Sequence, residues 1–547
     1  MVNISMKPFQ LKYRNPGDGL RYEMTYLSFP HWGLPSLSLH SGFVALAGSV
    51  LAVIFLVLFR RRAPTLPLPP GPKRLPIIGS LFHIPSKTPW VAYNELSKKY
   101  GDLIYFEAMG RPILILNSLS AVQDLLEKRS ANYSDRATNP AFQLMKLEWM
   151  MGLMDYGPWW KSHRRPLQQQ FSPRELARYR PILQQEVSAF LLKLTENPKS
   201  FLDTTHLFFG SVIMRISYGV NDFNYNKSFI MQAEALLDMI AHATAPGHFL
   251  VNVFPLLRHV PAWFPGAGWK RRLQEAVQIG LNLRVGAFEG AKQRVQLGQR
   301  EYPCVAHRML DSLPPEDDPQ YGAQAAIATN VAAMTYVAGA DTMVSSGKVL
   351  FLALANNPDV QRRGQEEIDT VIGPGRLPTP GDLQKLPYVQ AIVMELTRWY
   401  TVAPLGLLHA ATEDDEYHGY FIPKGTFIFP NSWAILHDPN VFDDPFAFKP
   451  ERYLKNGTIN PDVLDPEVAA FGYGRRICPG RHLSNEIIGY LTACLLFAFN
   501  ISPPKDRDGN ALPLNLEVTS EMLSKPLPFE CEIVPRSADL GALLSSD

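Results

Sequence analysis

The densest run of chemically useful residues is Phe471-Gly-Tyr-Gly474-Arg-Arg476-Ile-Cys478-Pro-Gly480-Arg-His482. Leu483, Ile487, Ile488, Tyr490, Leu491, Cys494 and Leu495 follow at helical spacing. Cys478 therefore stands where a glycine-rich loop enters a helix, with Pro479 suited to the first helical position. Free N–H groups and the helix dipole at such a point favour negative charge, which biases the sulfur toward thiolate, the form that binds metal. Gly472, Gly474 and Gly480 leave room for something flat and wide against the backbone, and Arg476 supplies a cation for an anionic group. A buried structural cysteine is the plainer account of any single cysteine. The pattern weighs against it, since Phe, two Gly and Cys at these spacings arise by chance in roughly one in a thousand such chains.

Other constellations lie upstream. Glu395 and Arg398 sit three residues apart in a stretch whose apolar members are Tyr388, Val389, Ile392, Val393 and Leu396. That spacing puts both charges on one helix face. Most such pairs are exposed and worth little, but a mostly apolar helix buries its neighbours, and buried arginine needs several acceptors in fixed geometry. Tyr321 to Ala355 reads as the longest helix of the body, with Asp341 and Lys348 as its only charges. Its centre is Ala338-Gly339-Ala340-Asp341-Thr342. A mid-helix glycine costs about 1 kcal/mol against alanine, and a lone buried aspartate is costly unless paired. A helix kink with a self-bonded threonine would explain these residues without chemistry. Trp160-Lys-Ser-His-Arg164 offers an indole N–H and a guanidinium one turn apart, donors that suit a carboxylate, with Arg165 as the adjacent alternative. His409, in Pro404-Leu-Gly-Leu-Leu-His409, is a further donor or simply a surface histidine at a strand edge.

The pattern Phe-x-x-Gly-x-Arg-x-Cys-x-Gly resembles the haem-ligand loop of the cytochrome P-450 superfamily of haem-thiolate monooxygenases, and all its specified positions match. The resemblance implies that Cys478 is the axial ligand of haem b, with Phe471, Gly474, Arg476 and Gly480 around the cofactor. A thiolate ligand pushes electron density toward iron and favours O–O cleavage. Ala338 to Thr342 resembles the oxygen-binding groove, where Gly339 opens room and Asp341 and Thr342 relay protons; Met343 departs from the hydroxyl residue frequent there. Trp160 and Arg164 resemble a propionate-binding pair, and His409 falls where related proteins place another propionate donor. Phe448-Lys-Pro450-Glu451-Arg452-Tyr453 is similar to the segment whose arginine joins the Glu-x-x-Arg pair, with Tyr453 where Phe is common. Glu395, Arg398 and Arg452 would then be a structural triad locking the Cys478 loop. Pro69-Pro-Gly-Pro72 and Pro76-Ile-Ile-Gly79 match the entry segment. Thr412 to Gly425 resembles fungal microsomal members of secondary metabolism.

The implied fold is mainly α with small β-sheets near 100–118 and 400–430, the cytochrome P-450 fold, placing haem between the Thr342 helix and the helix after Cys478. The implied reaction takes O2, two protons and two electrons, and oxidises a small lipophilic substrate such as a terpenoid or polyketide. Electrons would come from NADPH through a separate NADPH-cytochrome P-450 reductase, with cytochrome b5 as a second donor; no dinucleotide-binding fingerprint lies in the chain itself. A haem-thiolate isomerase or dehydratase that consumes no O2, and a non-catalytic haem protein, are the competing readings. Asp341-Thr342 argues against the first, since such enzymes need no proton relay.

The wider composition sets the frame. Fifty-three basic against fifty-one acidic residues give +2, leaving no basic field for nucleic acid. Four cysteines without a CxxC pair exclude a disulfide framework and a four-thiolate zinc module. Mean hydropathy of −0.08 excludes a multi-span membrane protein. Gly42 to Phe59 is uncharged and apolar, and Arg60-Arg61-Arg62 follow it. This is read as a transmembrane anchor over 41–59, against a buried core helix or a signal peptide. The flanking arginines put the body in the cytosol and residues 1–40 in the lumen of the endoplasmic reticulum, making Asn3 the one luminal glycosylation sequon; those at Asn132, Asn226 and Asn456 would face the cytosol. The long leader also leaves Met24 as an alternative start. A basic and proline-rich hinge over 60–72 leads into one catalytic body, 73–547. Pocket candidates are Phe142, Leu144, Met150, Met151, Met154, Phe249, Met334, Leu405 and Met522. The stretch 249–269, followed by Lys270-Arg-Arg272, could rest on the bilayer.

Overall fold

A computed structural model describes residues 66–545, apart from 138, 245–247 and 301, together with Ser49. The expected anchor, Ser49 aside, and Asn3 lie outside the described residues. The chain divides into two units, 1–65 and 66–547. The last part of the expected hinge is bonded into the second unit: the Pro67 and Pro70 carbonyls accept from the N–H groups of Phe421 and Tyr105, each at 2.8 Å. The second unit thus takes in residues 66–72 as well. Of the sequons at Asn132, Asn226 and Asn456, that of Asn226 is buried.

The body is mainly helical with small sheets. Six helices position the site: α1 (Pro158–Gln170), α2 (Phe201–Tyr218), α3 (Phe223–Thr244), α4 (Tyr321–Asn356), α5 (Pro387–Trp399) and α6 (Arg481–Ala498). α4 runs through the core. It is the one helix among the described residues long and apolar enough to cross a membrane, yet 72% of its most apolar window is buried within the protein. Its two interior charges and abundance of alanine fit a helix packed on most sides, α2 being its most extensive neighbour. α5 and α6 bury the apolar positions that the spacing predicts.

Five short strands form the main sheet: β1 (Leu103–Ala108), β2 (Arg111–Leu116), β3 (Asp135–Arg136), β4 (His409–Ala410) and β5 (Phe427–Pro430), in the order β1-β2-β5-β4-β3. β1 and β2 form a hairpin turning at Met109 and Gly110, both with positive φ, which matches the twist of the flanking strands. β2 and β5 run parallel. The sheet places His409 and Arg136 directly opposite each other.

Glu395 and Arg398 are fully buried on α5. Arg398 spends all five of its N–H donors. Two bond the Glu395 carboxylate at 2.8 Å each, and the others reach the carbonyls of Leu436, Pro445 and Ala447. Arg452 adds a third charge, its Nε 3.1 Å from Glu395 Oε2, while its Nη atoms hold the carbonyls of Asp443 and Asp444. The three residues therefore pin the segment 436–452. Their bonds stop short of the Cys478 loop. The connection is indirect, through the helix Ser432–Leu436, whose Ser432 Oγ lies 2.7 Å from Tyr473 Oη.

Candidate active site

Cys478 is fixed by its own loop, its N–H donating to the Phe471 carbonyl at 2.7 Å. α6 begins at Arg481 with Gly480 as its N-cap, so Pro479 lies outside the helix rather than at its first position. The backbone N–H groups of Gly480 and Arg481 and the cationic Arg164 and Arg481 favour thiolate. Burial is the larger effect and raises the thiol pKa. The bias toward thiolate read from loop and dipole alone is therefore reversed: the polypeptide by itself holds a neutral thiol, because desolvation outweighs a single helix terminus. A bound metal cation would expel that proton outright.

Gly474 serves a different purpose from the one its spacing suggested. Its φ is +52°, and a Cβ there would fall 2.3 Å from the Leu126 carbonyl oxygen. It lets the loop touch the Leu126–Glu127 backbone and opens no space for a planar group. Gly472 and Gly480 do line the cavity beside Cys478.

That cavity is bounded by α4, by the loop and start of α6, and by the chain following α5. Thr342 lines it, and its hydroxyl donates back to the Ala338 carbonyl at 2.9 Å, leaving oxygen lone pairs for an incoming donor. Gly339 also lines it, although a Cβ at this position would first press on Ile213 of α2, at 3.2 Å. Asp341 does not line it. One residue along an α-helix turns the side chain by about 100°, and the buried Asp341 carboxylate instead lies 3.3 Å from Lys525 Nζ. The two residues expected to act side by side leave the helix in different directions.

Four basic side chains converge on the cavity: Arg136, Arg164, His409 and Arg476. Arg164 is turned inward and Arg165 outward, which separates the two candidates. The guanidinium groups of Arg476 and Arg164 lie 4.6 and 5.9 Å from the Trp160 ring centroid. Arg476 donates to the carbonyls of Ser134 and Met154, whereas Arg164 makes no hydrogen bond among the described residues. Burial, together with a neighbouring arginine in each case, lowers Arg136 to about 9 and Arg476 to about 10. No carboxylate occurs among the lining residues. A buried cationic cluster whose nearest partners are mostly neutral carbonyls is short of anions, and the two propionates of a haem would supply them. With Cys478 in the same cavity, the residues present fit haem b.

His409 fits this role differently from expectation. Its Nδ1 donates to the Tyr133 carbonyl at 2.7 Å. Burial and the two nearby arginines push its pKa well below the ordinary value. The neutral ring therefore offers a lone pair at Nε2, and the donors for a carboxylate are the arginines. Arg136 was missed in the sequence because its partners are backbone atoms far along the chain, the carbonyls of Gly152, Leu407 and Leu408. Only its place after Tyr133-Ser-Asp, between two short elements, hinted at a fixed position. Replacing Arg136 with methionine is expected to speed haem loss to an excess of a haem-scavenging protein by about tenfold, equivalent to about 1.4 kcal/mol. A wild-type rate would contradict its place in the anion-binding cluster.

Comparison with known proteins agrees with this geometry. The family model described as Cytochrome P450 matches residues 69–531. The chain belongs to the cytochrome P450 family. It is 50% identical over 483 residues to cytochrome P450 monooxygenase COX1 of Coprinopsis cinerea, covering 88% of this chain and 93% of that one. It is 42% identical to cytochrome P450 monooxygenase COX2 of the same fungus, over 90% of this chain and 94% of that one. Tryptamine 4-monooxygenase of Psilocybe cyanescens is 34% identical over 91% of this chain and 98% of its own length. This P450 is accordingly a haem-iron oxidoreductase that incorporates oxygen, as the Cys478 loop implied, and the family works with a redox-partner reductase.

Proposed function

We propose that this P450 is a membrane-anchored monooxygenase of fungal secondary metabolism that hydroxylates or otherwise oxidises a small lipophilic molecule, a terpenoid or polyketide being the favoured class. When bound, haem supplies reductive activation of O2 and delivers one oxygen atom to the substrate. Cys478 holds the iron. Arg136, Arg164 and Arg476 hold the propionates. Thr342 orders the proton donor at the oxygen site through a hydroxyl fixed to the helix backbone.

The observation that carries the substrate class is the cavity wall. Of the nine apolar candidates from the sequence, Met151 and Met334 line it. Phe142, Leu144, Met150, Met154, Phe249 and Met522 pack in or against the main core, and Leu405 packs against a smaller one. Leu407, Val402, Ala338 and Leu523 complete an apolar surface suited to a nonpolar guest.

Membrane delivery is supported by an exposed patch in 249–269. Leu256 is 80% and Trp263 78% exposed, beside Phe254 and Phe264. Lys270 supports this segment from within, donating to the carbonyls of Arg258 and Val260, so the basic flank also folds the patch. Electrons would arrive from NADPH through a membrane flavoprotein reductase, with cytochrome b5 as an alternative second donor. A surface groove lined by Lys161, Arg165 and Arg308, the last paired with Glu175, offers that partner a mainly basic docking face.

Thr342→Ala tests the assignment. It is expected to keep the haem spectrum but to reduce product formed per NADPH by about tenfold, with hydrogen peroxide released instead. Unchanged coupling would contradict the role given to Thr342.

A further inference from the structure

A second concave surface lies outside the haem cavity and shares no lining residue with it. It is a groove of about 560 Å³, bounded by the chain at 145–149, the start of α1, the end of the helix Gly268–Leu281 with the turn that follows, and the first third of α4. That volume falls within the range of small-molecule sites, about 300–1,000 Å³. Arg284 is the polar group that the fold leaves unserved there. Its guanidinium lies 6.0 Å from the centroid of the Trp149 ring, and it donates no hydrogen bond and forms no ion pair among the described residues. Burial lowers its pKa, against the charge of Glu148, which lines the same groove from the surface. The backbone around this cation is irregular. Arg284 sits in a π-helical turn, Asn282–Gly286, and Lys146, a second cation on the wall, has a φ of +52°. Both kinds of irregularity gather at ligand sites.

Apolar surface accompanies the guanidinium. Trp159 is 47% exposed, and Leu281 and Val285, also exposed, line the same groove. The Trp159 side of the wall is fixed in advance. The indole packs edge-on against His163, ring centroids 4.5 Å apart. His163 Nδ1 donates to the Trp159 carbonyl at 2.8 Å, and its Nε2 accepts from Nδ2 of Asn330, another lining residue, at 3.0 Å. Walls ordered before a ligand arrives lower the cost of binding it.

Charge and wall together select the ligand. Two cations, Lys146 and Arg284, stand against one carboxylate, Glu148. We infer that this groove binds a small carboxylic acid with a flat apolar body. The carboxylate takes the planar fork of Arg284, which suits two-point contact with both oxygens, and the body lies on Trp159, Leu281 and Val285. A cationic ligand would meet Arg284 and Lys146, and a neutral one would leave the fork empty. The site is separate from the haem cavity, so the acid is distinct from the molecule that is oxidised there.

The probe is 2-naphthoate, with 2-naphthylmethanol as the same body without the charge. Both are measured by equilibrium dialysis against purified full-length holoenzyme whose haem cavity is filled by saturating clotrimazole. A saturable naphthoate site is expected, with the alcohol bound about tenfold more weakly or worse. Arg284→Met is expected to weaken naphthoate by about tenfold, the effect of losing a hydrogen bond to a charged group. Glu148→Gln removes the one opposing carboxylate and is expected to tighten naphthoate by about threefold, a gain that damage to the fold would not produce. Unchanged naphthoate affinity in Arg284→Met, or equal binding of acid and alcohol, overturns the inference. So does the absence of saturable binding. Binding that clotrimazole abolishes also overturns it, because the acid would then sit in the haem cavity. Where Arg284→Met fails to take up haem, Glu148→Gln decides: tighter naphthoate with unchanged alcohol supports the inference, and unchanged naphthoate overturns it.

Discussion

Arg398→Ala is expected to yield little or no holoprotein, with the chain recovered mainly as insoluble apoprotein. The reason is an accounting of donors and acceptors. Arg398 is fully buried, and its five N–H groups satisfy both oxygens of a fully buried Glu395 and three backbone carbonyls. Removing it leaves those carbonyls without their donor and Glu395 to Arg452 and the Lys449 N–H alone. Breaking a buried pair in this way costs about 3–5 kcal/mol, a large share of a typical folding free energy of about 5–15 kcal/mol. Lysine is no rescue, since three rotating donors on one nitrogen cannot replace a planar fork of five. Holoprotein yield and thermal unfolding of Arg398→Ala and Arg398→Lys check this. A stable holo form of the alanine variant would show that 436–452 is held by something else.

Cys478→Ala is expected to abolish oxygenation entirely while leaving the polypeptide folded. The side chain is small, and its loop is held by contacts that survive the change: the Cys478 N–H to the Phe471 carbonyl, Tyr473 to Ser432, and Gly474 against Leu126. Burial disfavours an uncoordinated thiolate here, so losing the sulfur removes a group whose use is to hold iron. Circular dichroism should match wild type, whereas turnover with reductase should fall below detection. Residual turnover at even a hundredth of wild type would mean that another side chain ligates the metal.

Much of the site was legible because it is local. A sulfur at a loop-to-helix junction, a glutamate and arginine one turn apart, and a long helix with two charges are patterns that neighbours in sequence impose. What escaped the sequence is long-range. Arg136 is recruited through carbonyls of residues 152, 407 and 408. Asp341 is claimed by Lys525, which no spacing connects to it. Gly474 is explained by the backbone of residue 126, a surface that only the folded chain presents. The Cys478 thiol shows the same limit in electrostatics: the helix terminus is written in the sequence, but the burial that outweighs it is a property of packing. The fold followed the same rule. α4 and the two sheet regions stand where the pattern put them, while the two-residue strand β3 and the pinning of residues 67–71 depend on distant partners.

The most direct test of the account is the carbon monoxide difference spectrum of the dithionite-reduced wild-type protein. A strongly red-shifted Soret band is expected, the signature of iron ligated by the Cys478 thiolate. A band at the histidine-ligated position, or no haem signal from well-folded protein, would contradict it.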